Sequence, residues 1–311
     1  MEITMKKMVI TGVNGFIGRH AKEYFEKEYE ITGLDLAANY SGEREPDDTM
    51  TYYQCNMSQE SAEMAAIFTG VQPDVILHCA GSANVGASVV NPMADLDGNL
   101  HSLYQLLLAL KSFEKRPEII FLSSAGVYGN PRQLPVREYD VAAPMSPYGL
   151  HKHMGEELCE YYNRIHGYHI RSIRIFSAYG NGLRKQLLWD IYQKYQNTGR
   201  IELFGTGEET RDFIHVSDIM RAIDLILSYD GPETVINVAN GEEVSIRELA
   251  EIYAEKLGAP QNIVSFNGAV KEGDPRNWRA DISLLRKLGY EKQMELSDGI
   301  AAYVDWAKAQ D

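Results

Sequence analysis

Three cysteines in 311 residues is few. Cys55, Cys79 and Cys159 are widely spaced, odd in number and free of any C-x-x-C pattern, so they read as reduced structural thiols. No apolar run approaches the roughly 18 residues of a membrane span. The first residues, Met1 to Lys7, pass straight into a strand-like M-V-I-T with no apolar leader region, so a cytoplasmic chain without membrane contact is expected. Basic charge is also short. Thirty Lys and Arg face 44 Asp and Glu, a net charge of −14 that repels a phosphate backbone and argues against nucleic-acid binding. The histidines lack metal-ligand spacing on a shared face, since His151 and His153 point apart, so no metal site is expected.

What is present is a hydrophobic content of 44% in a chain beyond the size at which one core keeps growing. Met8 to Thr11 reads as a buried strand running into G-V-N-G-F-I-G, with Gly12, Gly15 and Gly18 spaced GxxGxxG before an amphipathic helix that opens at Phe16 and Ile17. Such a turn without side chains lets backbone N–H groups and the helix dipole meet a pyrophosphate. The next strand ends in Asp35, about twenty residues beyond the loop, where a carboxylate accepts from the ribose hydroxyls and repels a 2′-phosphate. NAD is therefore expected rather than NADP, with Asn14, Asn56, Met57 and Ala80 at the neighbouring turns of the cofactor site.

Strands and helices alternate as far as Phe176. Predicted strands lie at 51–54, 74–78 and 168–176, with predicted helices at 58–69, N-capped by Ser58, and at 92–113 with leucines at 100, 103, 107 and 110. That order argues an α/β fold, a Rossmann-type doubly wound parallel sheet over 1–176. A smaller C-terminal α/β substrate domain is expected over 177–311, with a return strand near 235–238.

The stretch from Glu118 to Lys152 is a buried strand ending in two serines, a loop, and a helix opening at Ser146-Pro147. Tyr148 and Lys152 are four apart on that helix, so an ammonium can sit beside a phenol and favour its ionised form. With Ser124 at the strand end they form a candidate proton-transfer device.

Taken together, Gly12-Gly15-Gly18, Asp35, S-S-A-G-V-Y-G, Tyr148/Lys152, R-D-F-I-H-V-S-D and G-D-P-R-N-W-R-A-D resemble the extended short-chain dehydrogenase/reductase family in its nucleotide-sugar epimerase/dehydratase branch. The resemblance covers residues 8 to about 290. It implies Ser124, Tyr148 and Lys152 as the catalytic trio, with Lys152 also bonding the nicotinamide ribose. It further implies a nucleotide-diphosphate sugar as substrate, with Arg211 and, less directly, Arg276 on the diphosphate and Phe204 and Trp278 lining the nucleotide pocket.

The family's 4,6-dehydratases resemble T-D-E-V-Y-G where this chain has S-S-A-G-V-Y-G. Ala125 and Gly126 thus stand where that chemistry needs an Asp and a Glu. The fucose-type epimerase-reductases place a cysteine at Ala125 and use NADPH. The UDP-hexose 4-epimerases remain nearest, with a nucleotide-sugar 4-reductase or dehydrogenase as the alternative and a catalytically silent NAD-binding protein a more distant one. The chain departs from the 4-epimerase pattern at Ser177, Asn56 and Lys271, which stand for an Asn, an Asp and an Arg, and in the basic loop Gly182 to Asp190. A homodimer built on the 92–113 and 148–166 helices is expected by the same resemblance.

Overall fold

The computed structural model of the chain describes residues 5–41, 50–59, 61–269 and 275–310. The chain divides into two units, one drawn from Met1–Val127, Pro144–Arg174 and Ile226–Ile236, the other from Tyr128–Ala143, Ile175–Leu225 and Asn237–Asp311.

The first unit is organised by a parallel sheet of β1 (Lys6–Thr11), β2 (Tyr29–Asp35), β3 (Met50–Gln54), β4 (Val75–His78), β5 (Glu118–Ser124), β6 (His169–Ile175) and the later β11 (Val235–Val238), in the order β11-β6-β5-β4-β1-β2-β3. The apolar runs explain the burial. Residues 8–11 of β1, 75–78 of β4 and 119–123 of β5 are all buried, as strands covered on both faces must be. Strand order reverses between β1 and β4, and in open sheets of this kind ligands bind outside the carboxyl ends of the strands at that point.

Helices α1 (Phe16–Phe25), α2 (Ala62–Val71), α3 (Val85–Val90), α4 (Pro92–Leu96), α5 (Ser102–Ala109) and α6 (Pro147–His166) flank the sheet. Leu103, Leu107 and Leu110 are fully buried in the core with Phe68, Ile119 and Phe121. Burial of each such side chain contributes roughly 1.5–3 kcal/mol. The leucine stripe is therefore core, and other residues face outward.

Two local expectations need correction. The helix expected over 58–69 begins at Ala62 instead, because the Ser58 hydroxyl donates to Asn56 Oδ1 at 2.9 Å and closes a turn rather than capping a helix. The helix expected over 92–113 ends at Ala109 and contains a π-turn, Asp97–His101, between α4 and α5. Hydrophobic spacing cannot see a single widened turn.

The second unit is built from short pieces. β7 (Ser177–Tyr179) pairs parallel with β10 (Phe213–His215). β8 (Ile201–Leu203) pairs with β13 (Val264–Phe266), and β9 (Thr210–Arg211) runs antiparallel to β12 (Val244–Ser245). Helices α7 (Gln186–Thr198), α8 (Val216–Leu227), α9 (Ile246–Leu257), α10 (Ser283–Lys287) and α11 (Leu296–Lys308) complete the element order. Ser245 caps α9 by accepting from the Glu248 N–H at 3.0 Å, as its capping-box sequence predicts. Buried Asp212 organises the loops, accepting from the N–H groups of Asn240, Gly241 and Ala280, each at 3.0 Å. Burial nevertheless pushes its carboxyl up to about 7.

Candidate active site

The candidate residues of the first unit sit at the carboxyl ends of five strands: Gly12 after β1, Asp35 closing β2, Asn56 after β3, Ala80 after β4 and Ser124 closing β5. The glycine turn is shaped for close approach. Gly12 has φ +66°, and a Cβ there would lie 2.7 Å from the Ala80 nitrogen; a Cβ on Gly18 would lie 2.3 Å from the Gly12 carbonyl oxygen. Gly15 supplies no side-chain cap to α1, and the first turn of that helix, with Phe16 and Ile17 half-buried, carries no acid. N–H groups at the start of a helix whose first turn carries no acid suit a pyrophosphate. Asp35 is aimed by its surroundings: its Oδ2 accepts from the Asn14 N–H at 2.9 Å, and Asn14 is itself tied to Tyr52 and Ser41. The donor set fits NAD on these grounds. Met57 is buried beneath this edge, while the Asn56 side-chain oxygen already accepts twice from Ser58, so it is spoken for within its own turn.

Ser124, Tyr148 and Lys152 come together. Ser146 caps α6 through the Gly149 N–H at 3.1 Å and Pro147 occupies its first turn, which fixes where the helix begins and hence where Tyr148 falls. Gly149 lets the helix backbone rest on the turn after β5, since a Cβ there would lie 2.4 Å from the Gly126 carbonyl oxygen. Tyr148 is anchored further by its N–H donating to Ser88 Oγ at 3.1 Å. Burial pushes the phenol up to about 12, while a hydrogen bond with Ser124 pulls the other way. The Lys152 ammonium donates to the Leu122 carbonyl at 2.7 Å and lies 4.9 Å from the Phe121 ring centre, against 6.0 Å from that of Tyr148. Helical spacing alone overstates its hold on the phenol: in the folded chain the β5 backbone is its direct partner.

Sequence reasoning missed three supports of this helix. Glu156 accepts from Arg174 at 2.6 and 2.9 Å and from Ser123 Oγ at 2.5 Å, and its position four residues past Lys152 was a readable signal. Ser88 and the Asp95–His151 contact left no such signal.

In the second unit, Arg211, Arg276 and Trp278 are neighbours. The Arg211 guanidinium donates to the carbonyls of Thr210 and Arg276 at 2.8 and 3.2 Å and lies 5.4 Å from the Trp278 ring centre. The Arg276 N–H donates to Asn130 Oδ1 at 2.6 Å, and the Trp278 indole to the Gly129 carbonyl at 3.0 Å. Ser177 opens β7, its N–H on the Asp212 carbonyl at 2.9 Å. Phe204 is 54% exposed just past β8, with Lys194 5.7 Å from its ring centre. Lys271 lies outside the described residues. Among the described residues no cluster of His, Cys, Asp and Glu is arranged to hold a metal, and no helix is long and apolar enough to cross a membrane.

The family model for the NAD-dependent epimerase/dehydratase family matches residues 8–239. The chain belongs to that family. A Methanocaldococcus jannaschii protein that carries the provisional name UDP-glucose 4-epimerase is 30% identical over 97% of this chain and 98% of its own length. Among solved structures, the UDP-glucose 4-epimerase of Thermotoga maritima with UDP-glucose superposes with a TM-score of 0.89 at 25% identity, covering 98% of this chain and 99% of that one. The UDP-glucuronic acid 4-epimerase of Bacillus cereus, in complex with UDP-glucuronic acid and NAD, gives 0.88 at 26%, covering 98% and 100%. Membership accords with the sheet order and the glycine turn, and it makes NAD the cofactor and the chain an enzyme.

Proposed function

We propose that this chain is a cytoplasmic NAD-dependent 4-epimerase of a uridine-diphosphate hexose, working through a transient 4-keto sugar. One observation carries the reading beyond the family: the trio is complete, yet Ala125 and Gly126 put no acid beside it, so oxidation at carbon 4 has no route onward to loss of water. The 4-epimerase names of the relatives support the same choice.

Bound NAD supplies a reversible hydride acceptor. Tyr148, as phenolate, takes the proton of the sugar's 4-hydroxyl as the carbonyl forms, and returns it once the ring has presented its other face. Ser124, hydrogen-bonded to the phenol, holds the reacting oxygen in line with it. Lys152 supplies the positive charge that stabilises the phenolate. Gly12, Asn14, Gly15, Phe16, Ile17 and Gly18 hold the pyrophosphate side of NAD, with Asp35 on its ribose and Met57 and Ala80 against its faces. Arg211 and Arg276 bind the diphosphate of the sugar nucleotide, with Ser177, Phe204, Lys271 and Trp278 as further contacts.

Incubating the purified enzyme with UDP-glucose, UDP-glucuronate and UDP-N-acetylglucosamine, without added cofactor, is expected to give inversion at carbon 4 by NMR. Product that appears only with stoichiometric added nicotinamide would instead make it a reductase or dehydrogenase. Tyr148→Phe is expected to lower kcat by about 10²–10⁴-fold with NAD still bound; unchanged turnover would end the mechanism.

A homodimer through the 92–113 segment, which holds α4 and α5, and through α6 completes the proposal. Met93 on α4 and Leu150, Met154, Tyr161 and Ile165 on α6 are large apolar side chains left 42–61% exposed. Sedimentation equilibrium should return twice the chain mass, and Met154→Lys should return one.

A further inference from the structure

The proposed sugar-nucleotide contacts of the second unit lie on stretches far apart in sequence, and one buried acid, so far without a part in the mechanism, touches most of those stretches. Asp212 is fully buried and directly follows Arg211. β9, which ends at Arg211, runs beside the segment 276–280. The Thr210 N–H donates to the Arg276 carbonyl at 3.1 Å, and the Trp278 N–H donates to the Thr210 carbonyl at 3.2 Å. Two residues further along both stretches the partner changes. The Asp212 carbonyl is taken by the Ser177 N–H at 2.9 Å, where β10 begins its pairing with β7. The link to the other stretch passes to the side chain, with Asp212 Oδ2 accepting from the Ala280 N–H at 3.0 Å. One residue thus joins Ser177 through its main chain and the Arg276–Trp278 stretch through its carboxylate, and it is bonded directly to Arg211.

The carboxylate is itself held. Its Oδ1 accepts from the Asn240 N–H and its Oδ2 from the Gly241 N–H, each at 3.0 Å. The Asn240 side chain closes the loop: its amide donates to the Phe213 carbonyl at 2.8 Å, and its Oδ1 accepts from the Tyr290 hydroxyl at 2.6 Å. Hydrogen bonds to an ionised acceptor are about twice as strong as those between neutral groups. Three of them on one buried side chain fix the spacing between the segments that supply the donors. That spacing matters for Arg211, whose guanidinium rests on carbonyls of both stretches, Thr210 and Arg276, and beside the Trp278 ring.

A second carboxylate in the same unit offers a comparison. Asp218 of α8 is equally buried, and it accepts from the main-chain N–H groups of Gln293 and Met294 at 3.1–3.3 Å. Those residues lie just before α11 and carry none of the proposed contacts. Both acids fasten loops, but only Asp212 fastens the loops that bear the site.

We propose that Asp212 is a positioning residue for the sugar nucleotide: its buried carboxylate ties the stretches carrying Ser177, Arg211 and Arg276–Trp278 at fixed spacing, and so sets the geometry of the diphosphate site. The proposal rests on the reading of those residues as the sugar-nucleotide contacts.

The test sets the two acids against each other in the full-length protein. Asp212→Asn keeps the shape of the side chain but replaces one acceptor oxygen with a donor that faces main-chain N–H groups. KM for UDP-glucose and the calorimetric Kd for UDP are expected to rise about tenfold, with kcat within about threefold and bound NAD unchanged. Asp218→Asn should lower the thermal midpoint by a comparable amount while KM and Kd stay within about twofold. Unmoved constants in Asp212→Asn overturn the proposal, as does an equal rise in both variants, which would mark general loosening of the unit. The native chain's affinity for UDP separates this from the underlying reading. A native chain that binds no UDP fails that reading and the proposal with it; an Asp212→Asn chain that binds UDP as well as a binding-competent native chain fails the proposal alone. If Asp212→Asn does not fold, amide hydrogen exchange of the native chain takes its place. Saturating UDP is expected to slow exchange at Ser177, Asn240, Gly241 and Ala280 together, and more than at Gln293 and Met294. Slowing that is no greater at the first set than at the second overturns the proposal.

Discussion

The two units place their candidate residues by different means. In the first, they stand where long buried strands end, and their positions follow from backbone: a glycine turn packed against the Ala80 nitrogen, and α6 resting on the turn after β5 through Gly149. In the second, Arg211, Arg276 and Trp278 hang on a two-residue strand and a single bridge between Thr210 and Asn277. There the Arg211 and Trp278 side chains are held by main-chain carbonyls and by their own cation–π contact. On the proposed mechanism, the residues that do chemistry stand on the long-stranded unit and those that recognise the substrate on the unit made of short pieces.

That contrast can be broken by substitution, and the largest effect should come from the backbone contacts. Gly18→Ala sets a methyl group 2.3 Å from the Gly12 carbonyl, a contact only main-chain movement can relieve. Overpacking of this kind costs about 1–3 kcal/mol, and bound NAD, read by absorbance after gel filtration, should be lost. Retention of NAD would mean that the turn adapts as readily as the second unit does. Arg211→Lys should act more mildly. It keeps the charge but loses the planar fork, so KM for the sugar nucleotide should rise about tenfold with kcat within a factor of two; a collapse of kcat instead would assign the second unit a share in the chemistry.

The smallest effect is on stability. Burial pushes Lys152 down to about 8 from an ordinary 10.5, so the fold disfavours its ammonium. Below pH 8 both states carry the proton and the penalty is complete; it fades as pH climbs towards 10.5, where the folded chain has already released a proton that the unfolded chain still holds. The stability of the native chain relative to Lys152→Met should therefore improve between about pH 8 and 10.5, read from chemical denaturation at each pH. A difference that stays flat across that window would show that the ammonium is not disfavoured by burial.

Much of this arrangement was legible beforehand, for reasons that differ by residue. The β1 turn, Asp35, Ser124 and the α6 start are local: each depends on a few consecutive residues whose conformational preferences agree. Arg211 beside Trp278 was reached only through likeness to a family, because the two are far apart in sequence and no periodicity joins them. The Asp95–His151 contact was not reached at all. It spans 56 positions, and its acid sits on α4 just before a π-turn, Asp97–His101, that apolar spacing does not record. The Ser58 cap failed for a related reason, since Asn56 competes for the same hydroxyl within two residues.

The two small residues after Ser124 have unequal evolutionary prospects. A Cβ at Gly126 would meet Ser124 and Tyr148 at 3.4–3.6 Å, ordinary contact distance, so the main chain accepts the first atom of a side chain there. Ala125 is fully enclosed, and enlarging it would require its neighbours to be remade. A lineage drifting towards a reaction that needs an acid at both places would meet the harder change at Ala125 and the easier one at Gly126.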